Sequence, residues 1–354
     1  MIARRGFLIA ALAAAVPTPA LASGGLDPEL GSQAAPASSL PLGGRNPQIR
    51  VLLASDVAPE AFTSLGGSTF AFAGKTYRGG AALVDGPDRK PALVATLPID
   101  SYLYGVVPLE IGSRWPDAAL QAQAIVARTY ALSHRVFGKP YDLVAHEGDQ
   151  VWGGLDAEAP QTNAAVDTTL GQVVAYGGGT ASVFYSSSCG GHTADASRLW
   201  GSAGLPYLRG VEDPYCLALS PDARWTARLT VAQLTGALGS RAAALGPLRG
   251  VALGEPAADL RRTLILTGTG GSAEWSSAEV RRAVGPRVVR SGLWRSLTVQ
   301  GDPSQAATAL VLEGSGLGHG VGLCQWGARG MAQQGFSARD ILSFFFPGTQ
   351  ITNA

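Results

Sequence analysis

The segment PDAALQAQAIVARTYALSHR, from Pro116 to Arg135, constrains the fold more than any other. It reads as one helix. Pro116 suits the first helical position, and Asp117 favours the positive end of the helix dipole. Leu120, Ala124, Ala127 and Ala131 fall on one face at spacings of 4, 3 and 4. A stripe made mostly of alanine lets whatever packs on it come close. On either side the pattern changes to short stretches of strand character. Gln48–Leu53, Ser68–Ala73, Ala81–Val84 and Ala92–Leu97 precede the helix, and Gly171–Tyr176 and Ala181–Tyr185 follow it. Beyond Trp225 we expect a short helix from Leu229, a strand over Thr263–Thr267, and a capping-box start at Ser276 and Glu279. Strands over Leu293–Val299 and Thr308–Glu313 and a last helix opening at Ser337 complete the pattern. Many strands interrupted by a few helices, with no regular strand–helix repeat, indicate an α+β fold.

At 354 residues the chain can bury one large core or two modest ones. Its 27 basic residues nearly balance 26 acidic ones, so it carries no electrostatic footprint for nucleic acid. The N-terminus has the layout of a secretory signal peptide over residues 1–22. Arg4 and Arg5 precede an apolar stretch from Phe7 to Val16, and Ala20-Leu21-Ala22 suits cleavage after Ala22. The Arg-Arg-Gly-Phe-Leu order also resembles a twin-arginine export signal, and ordinary secretion stays open beside it. Residues 23–46, rich in Gly, Pro, Ala and Ser, read as a flexible linker. No later segment reaches about 18 apolar residues, so no membrane span is expected in the mature chain. These features place the protein in the periplasm or outside the cell. Three cysteines in an oxidising compartment suggest one disulfide and one free thiol, with Cys189–Cys216 the preferred pair because both sit in loop-like contexts.

Three clusters carry candidate chemistry. Glu110 lies in the apolar run GVVPLEIG, with no basic neighbour before Arg114. Desolvation raises the pKa of such a carboxyl, as a general acid near neutral pH requires. A Glu facing solvent at a strand end, or paired to Arg128 across the fold, are the other readings. The second cluster is FYSSSCGGHTADA, from Phe184 to Ala196, a polar turn that lacks the Gly-x-Ser-x-Gly elbow of serine hydrolases. Cys189 and His192 could supply half of a zinc site, completed by His146 or His319. The third, GSGLGHGVGLCQWGARGMA from Gly314 to Ala332, fails the dinucleotide fingerprint and lacks a phosphate-binding lysine. Alternate glycines put bare backbone on one face of an extended segment and Leu317, His319, Val321 and Leu323 on the other. A sugar or a neighbouring strand could approach that face.

Taken together, LPIDSYLYGVVPLEIGSRWPDAALQAQAIVARTYAL, FYSSSCGGHTADASRLWG with PYLRGVEDPYC, and GLGHGVGLCQWGARGMAQQGFSARDILSFFFPGT resemble the SpoIID/LytB family in order and spacing. The resemblance covers a catalytic domain over residues 47–350, with its most specific parts at 92–216 and 312–350. It implies cleavage of peptidoglycan glycan strands, preferably stripped of stem peptides, by a lytic transglycosylase whose catalytic glutamate falls on Glu110. Glycan contacts are then expected from Arg128, Tyr130, Gln150, Tyr185, Ser187, Ser188, Gly190, Gly191 and His192, together with His319, Gln325 and Trp326. No cofactor is required by this reading. Some members hold zinc near the serine turn, and sporulation members usually carry a histidine where this chain has Tyr185. The family also contains amidase enhancers, so a non-catalytic glycan-binding partner of a cell-wall amidase is the alternative.

Overall fold

Three helices follow one another into the core: α1 (Ile99–Tyr104), α2 (Val107–Glu110) and α3 (Asp117–Ser133). In this computed structural model, residues 46–354 are described apart from 87–88, 136–137, 147 and 202–203. The expected signal peptide and all but the last residue of the linker fall outside the described residues. α3 is the expected helix, with Pro116 as its N-cap rather than its first helical residue. The alanine stripe is buried, but so are Gln123, Arg128 and Thr129. A helix buried all round is a core helix, not an amphipathic one lying on a surface.

Its wrapping comes from both ends of the chain. α4 (Pro160–Thr168) packs along α3, and beyond it lie α5 (Ala196–Trp200) and three helices of an inserted unit, α6 (Val231–Leu238), α7 (Ser240–Ala243) and α8 (Ser277–Val284). α9 (Gln325–Gln333) and α10 (Ala338–Phe345) then return to α3. On another side α9 comes close to the loop at Tyr215, where a Cβ at Gly330 would meet the Tyr215 carbonyl at 2.6 Å. Overpacking at such a contact costs about 1–3 kcal/mol.

The sheets are small and mostly antiparallel. The first has the order 80–85, 91–98, 48–55, 143–144, with only the last pair parallel. A three-stranded meander, 62–66, 69–72, 75–78, is inserted between its strands 48–55 and 80–85. Gln172–Tyr176 pairs with 179–180 and with the C-terminal strand Gln350–Asn353. Tyr185–Ser186 pairs in parallel with Leu323–Cys324, joining the serine turn to the glycine-rich segment. The expected strand at Ala181–Tyr185 is displaced, because only 179–180 and 185–186 pair.

The chain from Trp225 to Leu312 builds a second apolar core of its own, around Trp225, Leu266, Trp275 and Trp294, before the glycine-rich segment re-enters the first. In this unit Thr230 and Ser276 close capping boxes on α6 and α8, and Ser337 does the same for α10. The architecture is α+β. Among the described residues, no helix is long and apolar enough to cross a membrane.

Candidate functional site

Glu110 ends the single turn of α2, and the segment after β-strand residue Val144 is brought to it by a glycine. A Cβ at Gly105 would come within 2.7 Å of the Trp152 indole nitrogen, and the Gly153 amide donates to the Gly105 carbonyl at 3.0 Å. That contact delivers Gln150 and Val151 to the carboxyl. Glu110 is half-buried as a residue, while its Oε1 is sealed from solvent and has no hydrogen-bond partner among the described residues. Burial pushes its pKa up to about 8, against the pull of the Tyr185 hydroxyl and the Val151 amide. Tyr185 in turn accepts from Gln150 Nε2 at 3.1 Å, and that amide also donates to the Ala127 carbonyl of α3. Tyr130 completes the wall, with its hydroxyl donating to Asp149 at 3.3 Å. The carboxyl therefore sits among phenols and an amide, with no cation among its described neighbours.

That last point decides between the sequence readings. Glu110 is not paired with Arg128. Arg128 is wholly buried and donates from Nε and Nη2 to Asp100 Oδ1 at 2.9 and 2.7 Å, and to the Gln172 and Val166 carbonyls. Its guanidinium ties α3 to α1 and to the 172–176 strand, so the expected glycan contact is corrected to a structural role. The guanidinium is well satisfied by these bonds, whereas Asp100 Oδ2 is buried without a hydrogen-bond partner among the described residues.

The glycine-rich segment differs from expectation. Gly316, Gly318, Gly320 and Gly322 all have φ between +73° and +99°, so the stretch is not an extended strand with a bare face. What approaches it is this protein's own backbone. A Cβ at Gly316 would meet the Ser188 carbonyl at 2.6 Å, and one at Gly322 the Phe184 carbonyl at 2.2 Å. Gly190 repeats the relation from the other side, 2.5 Å from the Ser315 carbonyl. The whole stretch from Gly314 to Gln325 is buried, so it supports the serine turn from behind and does not form an exposed groove wall.

Most of the other expected glycan-contact residues share that position. Tyr130, Gln150, Tyr185, Ser188, Gly190, His319 and Gln325 are buried. His319 Nδ1 accepts from the Val321 amide at 2.9 Å, and its ring lies against Trp200; Gln325 donates to Gln123 of α3. Ser187, Gly191, His192 and Trp326 retain partial exposure. Trp326 belongs to a platform that sequence reasoning missed. Trp115, five residues after Glu110, packs on Trp326 with ring centroids 4.8 Å apart, and the Arg329 guanidinium lies about 5 Å over both rings. The signal was present in SRWPDA: an aromatic residue just ahead of the central helix.

The expected Cys189–Cys216 disulfide is not formed. The sulfurs are 3.6 Å apart and all three cysteines are free, whereas a disulfide needs about 2.05 Å. Cys324, expected to stand alone, joins them. Hydrogen bonds from Cys189 and then Cys324 pull the Cys216 thiol down, while burial pushes the other two up. The histidines expected to hold zinc with Cys189 are elsewhere: His192, His146 and His319 are not part of this convergent group. A metal-ligand set exists here, but it is Cys189, Asp213, Cys216 and Cys324.

Comparison with known proteins gives the chain a family. The family profile described as "Stage II sporulation protein" matches residues 88–176, which include Glu110, α3 and Gln150. An uncharacterized protein of Brachyspira hyodysenteriae is 32% identical over 265 residues, covering 74% of this chain and 68% of that one. The amidase enhancer of Bacillus subtilis is 30% identical over 296 residues, or 71% of this chain, which spans only 40% of the enhancer's length. Stage II sporulation protein D of the same organism is 27% identical, with 74% of this chain and 76% of that protein covered.

Proposed function

The chain belongs to the SpoIID/LytB family, and from that premise we propose that it is a lytic transglycosylase that cuts the glycan strands of peptidoglycan, with Glu110 as its acid and base. The observation that carries this reading is a half-buried carboxyl with its pKa raised to about 8, held among hydroxyls and, among the described residues, in no ion pair. Such a group is protonated at neutral pH and can donate to the leaving glycosidic oxygen. Ordinary glycosidases need a second carboxylate as nucleophile or to activate water. Here the C6 hydroxyl of the muramic acid is the nucleophile. The proton given to the departing oxygen leaves Glu110 ionised, and the carboxylate then takes the C6 hydroxyl proton as the 1,6-anhydro ring closes. Tyr185 and the Val151 amide favour the ionised form that exists between these two transfers.

The Trp115–Trp326–Arg329 platform fits the substrate side of the reading. Its rings and guanidinium are partly exposed, and flat aromatic surfaces suit sugar rings. The test is to incubate the mature protein with glycan strands lacking stem peptides and to look for 1,6-anhydro-muramic products by mass spectrometry, beside Glu110→Gln. Product from wild type and none from the variant is the expected result. The similarity to an amidase enhancer favours one other reading, a protein that grips glycan and stimulates an amidase. No anhydro product, with faster peptide release when an amidase is added, would establish that reading instead.

A further inference from the structure

Cys189, Asp213, Cys216 and Cys324 bring three sulfurs and a carboxylate oxygen within 4.8 Å of one another, and all four residues are buried. They arrive from three separate parts of the chain: the serine turn, the loop before Ser220, and the N-cap of α9. The Cys189–Cys216 separation of 3.6 Å is far from a covalent bond, yet close to the edge of a tetrahedron. Four ligands about 2.3 Å from one ion stand about 3.8 Å apart.

The surroundings are built for negative sulfur and a fixed carboxylate. Cys324 Sγ accepts from the Cys189 and Gly327 amides, each at 3.3 Å. Asp213 Oδ1 accepts from the Tyr215 and Cys216 amides at 2.9 and 3.2 Å, which turns Oδ2 inward to 3.2 Å from Cys189 Sγ. Gly327, in the first turn of α9, leaves room for that oxygen, since a Cβ there would stand 2.3 Å from it. Arg261, also buried, donates to the His192 carbonyl of the same turn and pairs with Asp259.

We propose that Cys189, Asp213, Cys216 and Cys324 bind one zinc ion in a closed tetrahedral site that fastens the serine turn to α9. Three thiols release three protons to solvent as the ion binds, no group is oxidised, and the resulting centre carries two negative charges beside Arg261. Thiolate-rich donors exclude magnesium and calcium, which take oxygen ligands. A carboxylate is a poor partner for copper(I), and a set converging on one point has no room for a multi-iron cluster. All four positions are filled by protein, so the ion has no open coordination site for chemistry. Its consequence is mechanical. Tyr185 lies four residues before Cys189, and Leu323 pairs with Tyr185 immediately before Cys324. The ion thus holds the segment that presents Tyr185 to Glu110, and it keeps Cys189 and Cys216 from oxidising to a disulfide.

The test measures metal, not cleavage, so its failure is separate from failure of the proposed activity. The full chain is purified without chelator or an affinity tag that binds metal, and metal content is measured by mass spectrometry. The expected result is about one zinc per chain, with thiols that react with a thiol reagent only after a strong chelator is added. Replacement by cobalt should give thiolate-to-cobalt charge-transfer absorption with a tetrahedral visible spectrum. Cys324→Ser and Asp213→Ala should each lower zinc affinity at least about tenfold. If these variants do not fold, chelation of wild type followed by restoration with zinc alone tests the same point, through loss and recovery of about 10 °C or more in Tm. A Cys189–Cys216 disulfide in the unreduced peptide map overturns the proposal. So do metal-free protein with three freely reactive thiols, and zinc retained undiminished in a folded Cys324→Ser variant.

Discussion

Two clusters of buried ionisable groups share one short segment, and their designs are opposite. Tyr185 faces Glu110, and Cys189, four residues on, faces Asp213, Cys216 and Cys324. Around Glu110 the neighbours are hydroxyls and an amide, one carboxylate oxygen has no partner, and part of the residue reaches solvent. In the thiol cluster every member is buried, and the donors are the Cys189 thiol and backbone amides, the Cys189 amide reaching Cys324 from 135 residues away. A carboxyl without a cation stays neutral by keeping a proton, and that proton can be lent. Three thiols and a carboxylate converging on one point instead form a donor set suited to the zinc ion proposed above. The difference teaches how one turn can supply mobility of charge on one side and rigidity on the other.

The largest effect that would break this contrast is at Glu110 itself. Glu110→Gln keeps the shape but removes the transferable proton, and cleavage should fall by about 10²–10⁴-fold. Metal content and thiol protection should be unaffected. Cleavage within a fewfold of wild type would show that the two clusters do not divide the work in this way. The same carboxyl makes a stability prediction. Its pKa is raised from 4.5 to about 8, so between those values the unfolded chain has lost a proton that the folded chain keeps. Unfolding is therefore eased as pH rises, and stability should fall through the window from about 4.5 to about 8. Denaturant midpoints across that range should decline in wild type more than in Glu110→Gln. Activity that depends on the protonated acid should decline as pH passes about 8. A pH-independent difference between the two proteins would mean that Glu110 ionises normally.

A smaller effect separates positioning from proton transfer. Tyr185→Phe removes the hydroxyl that favours ionised Glu110, leaving the ring in place. The carboxyl pKa should then rise, moving the alkaline limb of the rate profile to higher pH, while the maximal rate falls by about tenfold because the carboxylate is a less stable intermediate. An unchanged pH profile would mean that Tyr185 only fills space.

How much of this was legible beforehand depends on distance along the chain. α3 could be read from local pattern alone, and so could the capping boxes at Ser276 and Ser337, since each is closed within one helical turn. The apolar setting of Glu110 was also local. The role of Arg128 was not, because Asp100 sits two helices earlier, in α1, and nothing in VARTY reveals it. Cys189 and Cys324, 135 residues apart, meet across the inserted unit that loops out between them. An odd cysteine count read as one pair and a spare, although it equally describes three thiolates with the carboxylate of Asp213 in DPYC. The glycines showed that something comes close, but backbone conformation decided what. With φ positive at alternate residues, the near neighbour is the serine turn and not a ligand.

The smallest predicted effect concerns the platform that lies outside both clusters. Trp115→Ala removes a ring that packs at a tilt against Trp326 and lies under Arg329, but touches neither the Glu110 network nor the thiols in any contact described above. If sugar rings rest there, they do so in the ground state and the transition state alike. The loss should then appear in KM, by about fivefold to tenfold, with kcat nearly constant. The size follows from one aromatic contact, about 1 kcal/mol beyond lost area. A fall in kcat with unchanged KM would place Trp115 among the groups that hold Glu110. The substrate platform and the acid would then be one unit, and the division of labour would lie between that unit and the thiol cluster alone.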